Sequence, residues 1–273
     1  MARGINALGG TDARGSVGGI TTRGYRGMTI IHNKKRMPRH VLSNAMLAGD
    51  TDIPGMLAKW NFEAHCVTRL DTGLLYIVSA NDLIGGVGTV LQPVAANQPR
   101  FIAGGTLAGG HAYGEGDGIN DELSSVAMAT PRAMPFEVWM VANEGPEATV
   151  AGYYYGISAT QARGLAKRVV PPGERQLRGS LNLIVGMRGA DIPKVWRCVW
   201  NGASSYMWIN GLQTHIAGDV GVPQLQQMNM WGRMPAGGWS NFKLWCLVVF
   251  GRILTPTEAL TLTNYYRSFY VIA

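Results

Sequence analysis

The segment GEGDGINDE, residues 114–122, places Glu115, Asp117, Asp121 and Glu122 close together. Two carboxylates at alternate positions of one strand face the same cleft, where they could serve a glycosidase as nucleophile and acid. Gly114, Gly116 and Gly118 argue against that placement, because glycine weakens a strand and favours a turn, and catalytic acids need rigid support. A solvated turn is therefore expected. The same acids could hold calcium, but Ile119 stands where a DxDxDG loop supplies an oxygen ligand. No metal and no cofactor are expected.

Other chemistry-bearing residues are dispersed. His32, His40, His65, His111 and His215 form no HExxH pattern and have no nucleophile elbow beside them. They read as surface or hydrogen-bonded histidines. GGVGTV at 85–90 lacks the third glycine and following helix of a dinucleotide loop. Cys66, Cys198 and Cys246 are single and far apart, as buried thiols made in a reducing compartment would be. Aromatic side chains are the remaining resource, since Trp and Tyr faces are used widely at recognition sites. Alternation of Trp196, Cys198 and Trp200 marks the core side of a strand. Trp231 and Trp239 flank the Gly/Pro-rich stretch GRMPAGG and are expected to be the exposed pair, hence the glycan-binding candidates.

The elements that must position these residues are strands. WNFEAHC alternates Trp60, Phe62, Ala64 and Cys66 with polar neighbours, the two-residue period of a half-buried strand. Apolar runs then recur at 74–78, 136–142, 149–157, 181–187, 195–200, 205–209 and 242–250, bounded by Gly, Pro, Asn and Asp. Many short strands with almost no helical period predict a β-sandwich or barrel. Asn210-Gly211 between YMWI and LQTHI predicts a type I′ hairpin. One helix is expected near the C-terminus, where Thr255 caps, Pro256 takes the first turn and Glu258 completes a capping box. No apolar run reaches 18 residues and no export-type apolar segment follows the N-terminus, so neither a membrane-spanning helix nor a signal peptide is expected.

Charge divides the chain unevenly. Residues 1–40 carry Arg3, Arg14, Arg23, Arg26, Lys34, Lys35, Arg36 and Arg39 against the single acid Asp12. The leader thus accounts for the whole net charge of +7, and the remainder sums to zero. With eight glycines in its first 27 residues and no periodicity, it cannot offset its own ordering entropy. The expected organisation is a basic extended arm over 1–54 and one folded domain over 55–273. Tyr25, Ile30 and Ile31 interrupt the basic residues, and the β-prone run MTII could add a strand to a neighbour's sheet. This favours protein subunits over nucleic acid as the arm's partner, since phosphate binding needs no such apolar run.

The C-terminal order of parts resembles a known superfamily. YMWINGLQ, a Gly-rich stretch and WSNFKLWCLVVFGRILTPTEALTLTNYYRSFY look like the end of a concanavalin A-like, laminin-G-like jelly roll. Arg252, Leu254, Thr255 and Glu258 take the places of its R-xLTxxE turn and helix. QPVAANQPRFIAGG before YGEGDGINDELS is similar to its Pro-Arg-aromatic strand and Asp-Gly hairpin. The resemblance covers roughly residues 55–270 and implies an all-β jelly-roll sandwich with a short C-terminal helix. Glucanases of this superfamily carry an ExDxxE strand; Glu115 and Asp117 fit it, but Asn120 replaces the third carboxylate.

Such domains behind a basic, Gly-rich arm resemble virion proteins of tailed bacteriophages. On that resemblance the chain is expected to be a structural component of a virion (capsid, neck or tail associated) rather than an enzyme. It would be made in the host cytoplasm. Its arm residues Arg3, Arg14, Arg23, Tyr25, Arg26, Ile30, Ile31, Lys34, Lys35, Arg36 and Arg39 would bind other virion proteins and copies of itself. The alternative is a lectin-like, glycan-binding adhesion module.

Overall fold

The computed structural model describes residues 53–63, 65–144, 152–158, 160–167, 174–187, 191–232 and 239–273, together with the backbone of 15–17, 20–25 and 28–33. Within the leader, β1 (Gly15–Val17), β2 (Ile20–Tyr25) and β3 (Met28–Asn33) form a three-stranded antiparallel sheet. The leader therefore departs from the expected lack of strand character. β-Branched Ile20, Thr21, Thr22, Thr29, Ile30 and Ile31 supply the propensity, and the hairpin sets Arg23 opposite Ile30.

The first part of the body runs through β4 (Met56–Asn61), β5 (Cys66–Asp71), β6 (Leu74–Ala80), β7 (Val90–Leu91), β8 (Arg100–Ile102), β9 (Tyr113–Glu115) and β10 (Leu123–Ser124). Then follow β11 (Phe136–Asn143), β12 (Gly152–Gly156), β13 (Gly164–Lys167), β14 (Glu174–Arg178) and β15 (Asn182–Met187). The last part holds β16 (Lys194–Trp200), β17 (Tyr206–Ile209), β18 (Leu212–Gln213), β19 (Asn229–Met230), β20 (Lys243–Phe250) and helix α1 (Pro256–Phe269).

Pairing divides these strands into two antiparallel runs. One has the order β18-β17-β16-β11-β20-β4. The other is β15-β14-β13-β12-β19-β10-β7-β6-β5. β8 and β9 join the two between β6 and β20. The main core fills the space between the runs, where Val138, Met140, Trp196, Cys198 and Trp200 meet Tyr154, Leu165, Leu177, Val185 and Met230. Alternation sends Trp139, Val141, Val195 and Val248 to the opposite face of the first run, where Ala259, Leu262 and Tyr266 of α1 cover them. The fold is thus a sandwich with one helix laid on its outside. A register shift between Val141 and Ala142 leaves one extra residue on β20, so Trp245 and Cys246 both face the helix while Leu244 and Leu247 face the core.

Local expectations meet the structure at several points. Asn210 and Gly211 have φ of 51° and 85° and join Ile209 to Leu212 in register, as a primed turn requires. Thr255 and Glu258 form a reciprocal capping box with Pro256 in the first turn. Arg252 adds two bonds to the Glu258 carboxylate, at 2.9 and 2.6 Å. These bonds, then the Thr255 backbone N–H, hold the Glu258 carboxyl down at about 2. The three cysteines are free and buried, and burial pushes the Cys66 and Cys198 thiols up to about 12.

WNFEAHC is not one strand. β4 ends at Asn61, whose side chain accepts from the Glu63 N–H and whose carbonyl accepts from the His65 N–H. That Asx-type turn interrupts the alternation, although Trp60, Phe62 and Cys66 are still buried. His111 ties the far end of the helix down. Its Nε2 donates to the Phe269 carbonyl at 2.9 Å while Nδ1 lies 2.7 Å from Glu63.

Candidate functional site

A cleft of about 260 Å³ opens between the outer face of β16–β17 and the first turns of α1, lined in part by Trp139, Arg197, Tyr206, Trp208, Leu260 and Thr263. Strand pairing builds its floor. Trp139 on β11 stands opposite Arg197 on β16, and Arg197 stands opposite Trp208 on β17. The three side chains form one row across three strands, with the guanidinium carbon 5.5 Å from the Trp139 ring and 5.8 Å from the Trp208 ring. Tyr206 lies two residues before Trp208, hence on the same face, and its ring is also 5.8 Å from that carbon.

A buried carboxylate organises this row. Glu137 is fully buried, two residues before Trp139. It accepts from Arg197 Nε at 3.1 Å, Arg197 Nη2 at 2.5 Å, Trp139 Nε1 at 2.7 Å and the Leu254 N–H at 3.0 Å. Arg197 Nη2 also donates to the Leu254 carbonyl. One glutamate thereby fixes the cation, one aromatic wall and the segment that enters α1. This satisfaction is what a buried charge requires.

One donor is left over at the cleft. Arg197 Nη1 makes no hydrogen bond to the described residues; the Trp208 indole N–H also lacks a partner among them, but that atom has no accessible surface. An apolar, aromatic floor with an unengaged donor suits a ligand that has a flat nonpolar face and oxygen acceptors at its rim.

Trp231, expected to be exposed, lies in the core with no accessible surface. Its Nε1 donates to the Phe242 carbonyl at 2.8 Å. The indole rests on Gly114 and Gly116, where an added Cβ would come within 2.6 and 2.3 Å of the ring. Those two glycines make room for an indole, and Gly118 with φ 78° makes the turn. Trp231 therefore cannot stack on a sugar. Trp239 is half-buried and lies outside the cleft. Glu122 Oε2 and Trp239 Nε1 lie 3.3 and 3.4 Å from the point where a Cβ on Gly232 would stand. Burial raises the Glu122 carboxyl, partly offset by the Trp239 and Gln92 side chains.

The acidic segment is a hydrogen-bonded loop. Asp117 accepts from the Ile119 and Asn120 N–H groups at 2.7 and 3.2 Å, and Asp121 accepts from the Asp117 N–H at 2.8 Å. Glu115 instead pairs with Lys243 at 3.7 Å and Arg100 at 3.9 Å. The expected solvated turn is only half right, because Asp121 is buried. Burial first, then the neighbouring Asp117 charge, pushes its carboxyl up to about 7 against the pull of the Asp117 N–H. His65 and His215 are exposed, and Asp82 binds the Val87 and Gly88 N–H groups within the 85–90 loop.

Of the arm candidates, Arg23 and Tyr25 lie on β2 and Ile30 and Ile31 on β3. Arg3, Arg14, Arg26, Lys34, Lys35, Arg36 and Arg39 lie outside the described residues. Reasoning from sequence missed Arg197 and Glu137. The available signal was parity, since Arg197 falls between the core residues Trp196 and Cys198 and so points outward, beneath the helix.

No protein-family model matches this chain, and no curated protein does. Solved structures do. Trypanosoma rangeli sialidase in complex with the inhibitor DANA matches with a TM-score of 0.54 and 10% identity, over 82% of this chain and 36% of that one. Domain 4 of AbnA, a GH43 extracellular arabinanase from Geobacillus stearothermophilus in complex with arabinotriose, gives 0.52 and 11%, over 76% and 98%. The binding domain of Paraclostridial Mosquitocidal Protein 1 gives 0.51 and 9%, over 78% and 52%. The chain folds as an all-β sandwich. It spans about a third of the length of the sialidase chains it matches. The expectation that it is not an enzyme is withdrawn, because sialidases are among the structures that share this fold. A missing third carboxylate on one strand excludes only one glucanase arrangement.

Proposed function

We propose that this protein is a glycan-binding module whose site is the cleft beneath α1. The cross-strand row of Trp139, Arg197 and Trp208, with Tyr206 beside it, carries the reading. Tyr206 and Trp208 supply the platform for a pyranose or furanose face, and Arg197 Nη1 donates to its oxygens. A structural neighbour solved with arabinotriose and another described as a binding domain support this choice at the level of fold. Isothermal titration with arabinotriose and a panel of other oligosaccharides tests it. Trp208→Ala should weaken binding of the recognised sugar by at least about tenfold, the effect of losing a stacked aromatic anchor. Unchanged affinity in that variant would refute the site.

In this reading residues 55–273 form the binding body and residues 1–54 a separate basic segment. The charge of that segment favours a second role, attachment of the body to a phage particle through other virion proteins or copies of itself. The two roles are compatible. Deletion of residues 1–40 should abolish incorporation into particles and leave oligosaccharide affinity unchanged; incorporation that survives the deletion would refute attachment by the leader.

A further inference from the structure

We infer that the cleft selects neutral saccharides and rejects acidic ones, an inference that rests on the proposed glycan-binding role of the same cleft. Among the lining residues Arg197 alone carries a charge, and a lone arginine would ordinarily read as an anchor for a carboxylate. Here that capacity is spent. The guanidinium is buried and engaged by both oxygens of Glu137, so the floor of the cleft is a closed ion pair of zero net charge.

A carboxylate entering the cleft would meet a cation already shared and a second carboxylate directly behind it. It would give up its own hydration for an attraction that Glu137 largely cancels. Uncharged hydroxyl, ring and glycosidic oxygens face no such opposition. They need only a single donor, and the cleft offers one in Arg197 Nη1, which makes no hydrogen bond to the described residues. The remaining lining includes Ile253, Leu254, Pro256, Ala259 and Leu260, which favour the C–H face of a sugar over a second ionic group. Leu254 also closes the pair from above, since its N–H donates to Glu137 and its carbonyl accepts from Arg197. The neutralisation is thus fixed by backbone as well as by side chains.

The test is an array of neutral glycans beside their sialylated and uronate-bearing counterparts, probed with the full chain, with Trp208→Ala and with Glu137→Gln. Glycans whose binding is lost in Trp208→Ala define the ligands of the cleft. If these are neutral, with acidic counterparts bound at least about tenfold more weakly, the inference holds. If they are acidic, it is overturned while the cleft stands as a sugar site. If no glycan depends on Trp208, the glycan-binding role of the cleft fails and the inference fails with it. Glu137→Gln keeps the shape but frees the Arg197 charge, so the ratio of acidic to neutral binding should rise several-fold. A folded Glu137→Gln protein with an unchanged ratio would overturn the charge argument; the wild-type comparison decides the matter if that variant does not fold.

Discussion

Replacing Glu137 with alanine should nearly unfold the body. The carboxylate is fully buried and receives four hydrogen bonds from three groups: the Arg197 guanidinium, the Trp139 indole and the Leu254 backbone N–H. Its removal leaves the Arg197 cation, itself 5% exposed, without a counter-charge. Breaking a buried pair from one side costs about 3–5 kcal/mol. Each neutral donor left without an acceptor adds about 1–3 kcal/mol, but the three share one site and do not add in full. A loss of roughly 4–6 kcal/mol is expected, against a total stability of roughly 5–15 kcal/mol for a domain. Equilibrium urea unfolding of the full chain, followed by tryptophan fluorescence, measures it as a lowered midpoint at unchanged slope. The paired replacement Glu137→Leu with Arg197→Met should recover the part of the loss that comes from the uncompensated charge, because apolar residues of similar volume remove both charges together, while the Trp139 indole and the Leu254 N–H still lack an acceptor. A loss below about 1 kcal/mol in Glu137→Ala, small for a buried charge pair, would refute the reasoning. So would a double variant no more stable than the single one.

Further expectations concern the helix cap, the acidic loop and the Trp231 seat. Glu258 is held down to about 2 by Arg252 and Thr255, so its contribution is present above its unfolded value of 4.5 and lost as pH falls toward 2. Thermal unfolding between pH 5 and pH 2 should therefore be less pH-dependent in Arg252→Ala than in the wild type. Asp121 has the opposite sign. Its carboxyl is raised from 3.8 to about 7, so stability should decline as pH rises through that window, and Asp121→Asn should flatten the decline while keeping an acceptor for the Asp117 N–H. Gly116→Ala would place a methyl 2.3 Å from the Trp231 ring and 2.9 Å from the Ser240 carbonyl oxygen; a loss of about 1–3 kcal/mol in urea unfolding is expected from overpacking, and a neutral result would show that the indole can move.

Much of the architecture was legible because its signals are local. The two-residue period of VWRCVW and FEVWMVA fixes which face each side chain takes, Asn210-Gly211 dictates a hairpin, and Thr255-Pro256 with Glu258 starts a helix. The break at Asn61 was not legible, since an Asx-type turn leaves buried residues on both sides and the alternation reads straight through it. Trp231 was misplaced for a related reason. A Gly/Pro-rich neighbourhood implies exposure, whereas the glycines that receive this indole lie more than a hundred residues away in sequence, at 114 and 116. The cleft is a product of long-range pairing. Parity shows that Arg197 leaves the core, but only the register of β11, β16 and β17 places it between two tryptophans, with Glu137 beneath.

The most direct test of the central claim is the indole N–H region of a proton–nitrogen correlation spectrum, with resonances assigned by single Trp→Phe substitutions and the recognised oligosaccharide added in steps. The Trp208 Nε1–H should shift progressively and saturate at the calorimetric affinity, since its indole lines the cleft and a sugar stacked on that ring changes its surroundings. The Trp239 resonance should stay in place. A saturating shift at Trp239 with Trp208 unmoved would contradict the account and move the binding site to the Glu122 side of the sandwich.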